Sequence, residues 1–417
     1  MKGMTPRERV YAALNFQEAD RVPISFAGGV GNRIVESVPD GMICSELYQY
    51  LGITDPEPVM ITPTFNLVNH PDEQAVQRLH SDMRAVWGTP LHPAINADGT
   101  PNIISTAVNT HQSIGHKIKR VGLYDMPVDD PMLYMTTEND IDEYPWPDPD
   151  ARIDVPEELI ERARHFHEDT DYFVAGLTGR ENPWYFFETA MERWLIDMKL
   201  RPRFYHKMMG KTVERMLAYN EQWYGVMGKY LDAAWVGEDL GTQENPFISH
   251  DDYLEFCKPY QAAIIKSIRK HLRPEAKIII HSCGSVYPFI EDFIEIGVDV
   301  LNPVQTLARN MEPWRLKRDF GGRIAFLGGF DTQTLLSLGT VEEVKEGVRR
   351  LIQQLAPGGG FVFGTSHNIQ PNTPLENITA AFDTAVEYGR YPIPESTGGN
   401  FIDFVKGLNL SEREVSQ

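Results

Sequence analysis

His281-Ser282-Cys283-Gly284 holds the residue types in this chain best suited to chemistry. The tetrapeptide closes the run Lys277-Ile278-Ile279-Ile280, which is rich in β-branched residues, follows a helical pattern and ends at a glycine. That pattern predicts a buried parallel strand ending at a turn. On an extended backbone, residues i and i+2 point the same way, so one metal ion can touch both His281 and Cys283. Two ligands do not make a site. The best third candidate is His367, which follows a second apolar run, Gly360-Phe361-Val362-Phe363-Gly364, through the polar turn Thr365-Ser366. The simpler reading is a hydrogen-bonded strand-end histidine beside a small apolar cysteine, with His367 an ordinary loop histidine.

The elements that must position these residues alternate in type. Strands are expected at 172–179, 233–238, 277–281, 298–302, 323–328 and 360–364. Helices are expected at 183–198, 202–229, 251–271, 286–296, 341–355 and 374–389. Residues 5–16 predict a helix with Thr5 as N-cap, Pro6 at its first position and Glu8 completing a capping box. Residues 21–26 read as a first strand, followed by the loop Ala27-Gly28-Gly29-Val30-Gly31-Asn32. Between residues 60 and 125 the pattern is obscure, and patches such as 102–108 suggest short strands or a hairpin excursion. The segment Tyr144-Pro145-Trp146-Pro147-Asp148-Pro149 predicts a stiff connector.

Alternating apolar strands and helices imply a parallel sheet covered by helices. Seven strands, with one more in the obscure region, favour an α/β fold of the (β/α)8 TIM-barrel type with N-terminal helical and hairpin additions, spanning residues 1–417 as a single domain. A doubly wound sheet is the runner-up, but no Gly-rich dinucleotide fingerprint follows any strand. In a barrel the C-terminal strand ends share one rim, where chemistry sits. Thr178, Arg180, Glu238, Asp239, His281, Cys283, Asn302, Gln305, Asp331 and His367 all fall there. Glu238 is a candidate fourth ligand, general base or loop anchor, and Asp239 is the second catalytic candidate. Arg180, Trp184 and Asp331 are candidates for binding substrate. Aromatic residues in this place also serve as helix core, and acidic residues after strands are common turn formers.

Composition narrows the partners. The 417-residue chain is 42% hydrophobic and 24% charged, as in ordinary soluble enzymes. A formal charge of -20 argues against nucleic acid and anionic membrane as partners. It also disfavours a highly anionic substrate unless a local arginine or lysine cluster overrides it. The N-terminal residues contain no apolar core of a signal peptide, and no stretch approaches the roughly 18 apolar residues of a membrane span. Three scattered cysteines, Cys44, Cys257 and Cys283, fit a reducing cytoplasm rather than a disulfide framework.

Four motifs in order resemble the uroporphyrinogen decarboxylase superfamily across roughly residues 5 to 392. They are Gly237-Glu238-Asp239-Leu240-Gly241-Thr242-Gln243, His281-Ser282-Cys283-Gly284, Gly328-Gly329-Phe330-Asp331 and Pro371-Asn372-Thr373-Pro374-Leu375-Glu376-Asn377. The resemblance implies a (β/α)8 barrel and two classes of enzyme. True decarboxylases use no metal and carry an Arg-Gln-Ala-Gly-Arg-Tyr pattern in the first loop; here residues 27–33 retain only Arg33. Arginine forks are the natural partners of carboxylates, so their loss points to the other class. That class comprises zinc methyltransferases working with corrinoid proteins, among them coenzyme M methyltransferases and aromatic O-demethylase methyltransferases. It implies Zn2+ on His281, Cys283 and a third ligand, which in coenzyme M enzymes is a cysteine and here matches His367. An imidazole in place of a thiolate leaves more positive charge on the metal, which favours activation of a methyl ether over activation of a thiol. The expected cofactors are zinc and a corrinoid carried by a partner protein; the expected substrate is small and methylated. A metal-free decarboxylase of a smaller acid, a non-catalytic ligand-binding barrel, and a homo-oligomeric state are left open.

Overall fold

A computed structural model describes residues 3–27, 43–57, 67–88, 134–146, 151–178, 191–394 and 399–410, with short stretches at 34–35, 59–62, 92–93, 117–121, 124–129 and 148–149. Seven strands form one parallel sheet in sequential order: β1 Met83–Trp87, β2 Phe173–Leu177, β3 Ala233–Gly237, β4 Lys277–His281, β5 Val300–Asn302, β6 Ala325–Phe330 and β7 Phe361–Thr365. Side chains alternate across this sheet because the strand period is two. Along β4, Ile279 joins an inner cluster with Trp235, Leu327 and Val362, while Ile278 and Ile280 face the helices. Val10 and Leu14 of helix α1 (Pro6–Leu14) belong to the inner cluster, so α1 plugs the N-terminal end of the curled sheet. The expected Thr5–Glu8 capping box is present.

The sheet is open as a ladder, and residues 22–26 lie in the gap between its edge strands. Their pairing with β7 is a single parallel bridge, Ile24 to Phe363, with the Ser25 amide donating to Phe363 O at 2.8 Å. On the other side the Asp82 amide donates to Ile24 O at 2.8 Å, but the Ile24 and Phe26 amides donate to the side chains of Asp82 and Ser81. The expected first strand is therefore a bridge completed by side chains. An aspartate before a strand does the same twice more: the Val174 amide donates to Asp232, and the Ile278 amide to Asp299, each at 2.7–2.8 Å.

The obscure region holds antiparallel additions. Lys117–Val121 pairs with Tyr124–Asp129, and a four-stranded sheet joins Ile34–Val35, Leu67–His70, Met60–Thr62 and His92–Pro93. Residues 102–108 lie outside the described residues. The expected helix at 251–271 is interrupted by a π-helical turn, Tyr253–Cys257, before Lys258–Arg269. Among the described residues, no helix is long and apolar enough to cross a membrane.

Candidate metal centre

The C-terminal end of the sheet brings His281, Cys283 and His367 together. One ligating atom from each lies within 4.8 Å of the others. His281 ends β4 and points inward like Ile279, two residues earlier. Cys283 continues that parity into the turn, with its Sγ 3.3 Å from His281 Nε2. His367 follows β7, held at the rim by the Ser366 amide, which donates to Phe330 O. The ring centroids of His281 and His367 are 6.4 Å apart. Beneath them, Trp235, Ile279 and Leu327 form a dry apolar floor.

Local sequence fixes the turn that presents Cys283. Gly284 has φ +78, and a Cβ there would lie 2.4 Å from the backbone of Gly241. Only glycine allows the loop after β3 to press on the turn after β4. The Cys283 amide donates to Asp239 Oδ1 at 2.9 Å, the Gly284 amide to Gln305 Oε1 at 2.9 Å, and the Ser285 amide to Thr242 O at 2.7 Å. Gln305 also accepts from Gln243 Nε2 at 2.7 Å, so the rim loops are latched together. Desolvation, with the nearby Asp239 carboxylate, pushes the Cys283 thiol well above its ordinary range. With the thiol protonated, Sγ–H has His281 Nε2 as its acceptor.

The other expected site residues divide. Asp239 is at the centre, its Oδ1 3.6 Å from His281 Nε2. Glu238 is not. His281 pairs in register with Gly237, so the next side chain turns to the opposite face of the sheet. Glu238 is 1% exposed and accepts from Gln261 Nε2 at 3.3 Å, on helix Lys258–Arg269, beside Tyr253 and Cys257. The expectation of Glu238 as fourth ligand or substrate-orienting group is corrected on this geometry. Burial raises its carboxyl well above the usual range, so it rests protonated among the helices. Asp331 is also occupied: Oδ2 accepts from the Thr334 and Leu335 amides at 2.8 and 2.7 Å and from the Thr334 hydroxyl, and Oδ1 from the Gln333 amide. Its carboxylate shapes the turn into the next helix instead of facing the centre. Arg180 and Trp184 lie outside the described residues, as do residues 28–33. Asn302, which contacts His281 Nδ1, drew no assigned role from spacing; the signal was its register with His281 in the neighbouring strand.

A curled parallel sheet with helices outside and polar groups at the C-terminal strand ends defines an α/β enzyme scaffold. Residues 125–388 match the family model described as Uroporphyrinogen decarboxylase (URO-D). The chain belongs to that family, which makes it an enzyme of decarboxylase or methyltransferase type. Among curated relatives, "Uroporphyrinogen decarboxylase" from Solibacter usitatus (strain Ellin6076) is 27% identical over 186 residues, 44% of this chain and 48% of that protein. The same-named protein from Trichodesmium erythraeum is 23% identical over 271 residues, 63% of this chain and 70% of that protein. The match thus spans about half the length of the first of these relatives. A solved structure, "methyltransferase from Methanosarcina mazei", shares the fold at a TM-score of 0.59 and 18% identity, covering 92% of this chain and 99% of that one.

Proposed function

We propose that this chain is a zinc-dependent methyltransferase that moves a methyl group from a small methylated substrate, with a methyl ether favoured, to a corrinoid held by a separate protein. The observation that carries this reading is the convergence of His281, Cys283 and His367, with ligating atoms within 4.8 Å of one another. The donor set fits zinc: imidazole nitrogen and thiolate sulfur are its preferred ligands, at about 2.0–2.3 Å, and three protein ligands leave a fourth position for substrate. Bound there, zinc would supply Lewis-acid polarisation of a substrate oxygen or sulfur. The chain's own residues do the rest. Cys283 gives up its proton on binding the ion, Asp239 holds the turn and brings a carboxylate beside the open side, and the floor of Trp235, Ile279 and Leu327 excludes water from below.

One thiolate and two imidazoles leave the ion more positive than a two-thiolate set would, which supports ether over thiol activation. The test is a screen of methoxylated aromatics, methylamines and methyl thioethers with cob(I)alamin. Methyl transfer to cobalt supports the reading, and substrate turnover without any cobalt species sinks it.

A second reading, a metal-free carboxy-lyase, is favoured by the names of the curated relatives. Two or three missing arginine–carboxylate contacts, at roughly 1.5–3 kcal/mol each, would weaken porphyrinogen binding by orders of magnitude. Formation of coproporphyrinogen at a rate comparable with authentic decarboxylases would establish that reading instead.

A further inference from the structure

We infer that Asn302 is a positioning residue that locks His281 in the Nδ1–H tautomer and so presents a bare Nε2 to the metal centre. The inference rests on the reading of His281 as a ligand. Asn302 ends β5, in register with His281 on β4, and is fully buried. Its Oδ1 lies 2.9 Å from His281 Nδ1. Its Nδ2 donates to Leu327 O at 3.3 Å.

The second contact decides the first. A backbone carbonyl only accepts, so the amide nitrogen of Asn302 must face Leu327. The amide oxygen is then left facing His281, and it too only accepts. Nδ1 of His281 therefore carries the proton, and in the neutral ring Nε2 keeps its lone pair. That lone pair is on the side of Cys283 Sγ, at 3.3 Å. Asp239 Oδ1, at 3.6 Å, is beyond hydrogen-bonding distance and does not compete for a proton on Nε2.

The local chain explains why a side chain does this work. The β5–β6 ladder pairs Val300 with Ala325 and Leu301 with Phe326. Asn302 is followed by Pro303, which has no N–H to give. The Asn302 amide supplies the donor for Leu327 O and spends its oxygen on the imidazole. Partners of this kind orient a ligand histidine, and their loss weakens metal affinity by about 10- to 100-fold.

The test uses the full-length chain, metal-free, with 15N-labelled histidine at a pH where the ring is neutral, together with zinc affinity from competition with a chromophoric chelator. In the wild type, His281 should show a protonated Nδ1 and a bare Nε2. Asn302→Leu should mix or invert the tautomers and weaken zinc binding about 10- to 100-fold. Asn302→Asp, which keeps an acceptor toward Nδ1, should restore the tautomer and most of the affinity. It also keeps the test decisive if the leucine variant fails to fold. A wild-type Nε2–H tautomer, or unchanged tautomer and affinity in Asn302→Leu, overturns the inference. A wild type that shows the locked tautomer but binds no zinc leaves the lock standing and removes the metal reading instead.

Discussion

The two ends of the barrel-like sheet use the same kinds of polar residue in opposite ways. At the N-terminal end, acids are matched with bases. Asp82 accepts from Arg9 at 2.5 Å and Arg21 at 2.8 Å, Asp232 from Arg273, from Tyr11 at 3.0 Å and from the Val174 amide, and Asp299 from Arg269 at 2.6 Å. Each of these three aspartates also closes a backbone N–H of a neighbouring segment. At the C-terminal end, three lone-pair donors, His281, Cys283 and His367, face one another. Such a grouping contributes little to folding by itself. The comparison teaches that the first end is built to hold the sheet together and the second to hold something else.

The largest effect is expected where that division is cut at its base. Asp82→Ala strands Arg9 and Arg21 in a largely buried place and should destabilise the fold by roughly 3–5 kcal/mol. Chemical denaturation would measure it, and zinc stoichiometry of the folded fraction should not change. A loss of zinc without a loss of stability would blur the distinction between the ends.

Cys283→Ser should do the reverse. Zinc affinity should fall by more than about 100-fold, since even outer-sphere changes cost about 10- to 100-fold, while the unfolding midpoint stays near the wild type. Isothermal titration with the metal and a thermal melt together decide it; retained affinity would exclude Cys283 as a ligand.

Proton release gives a finer view of the same residue. The Cys283 thiol is held protonated in the metal-free chain, so zinc binding near neutral pH should release about one proton, and affinity should fall as pH falls. Titration in two buffers of different ionisation enthalpy would count the proton. No proton uptake by buffer would mean that the sulfur does not bind as thiolate.

The smallest effect tests the placement of Glu238. Its folded carboxyl titrates above the unfolded one, so its stabilising contribution is complete at low pH and is lost as pH rises. Glu238→Gln removes that loss. The variant should match the wild type at about pH 4 and exceed it in stability above about pH 5, with zinc affinity unchanged. A tenfold drop in affinity would return Glu238 to the centre.

Much of this division was legible in the residues. The β-branched run before His281, the glycine after Cys283 and the i, i+2 spacing foretold a strand, a turn and a shared direction, and the parallel sheet supplied the convergence with His367. Parity was legible as well, yet Glu238 was misread because its position at a strand end says nothing of which face it takes; that followed only from the register of Gly237 with His281. Asp331 was misread for a related reason. An acid after a strand serves a ligand or the next helix equally well, and here backbone amides of residues 333–335 reach it first. The first strand was blurred because the side chains of Asp82 and Ser81 replace the backbone partners that a strand pattern presupposes.

The central claim is that the C-terminal end is a metal centre. It is tested most directly by elemental analysis of the full-length chain, purified without chelators, beside Cys283→Ser prepared in parallel. The account predicts about one equivalent of zinc in the wild type and little in the variant. A correctly folded wild type with no zinc, unable to take it up on addition, would contradict it.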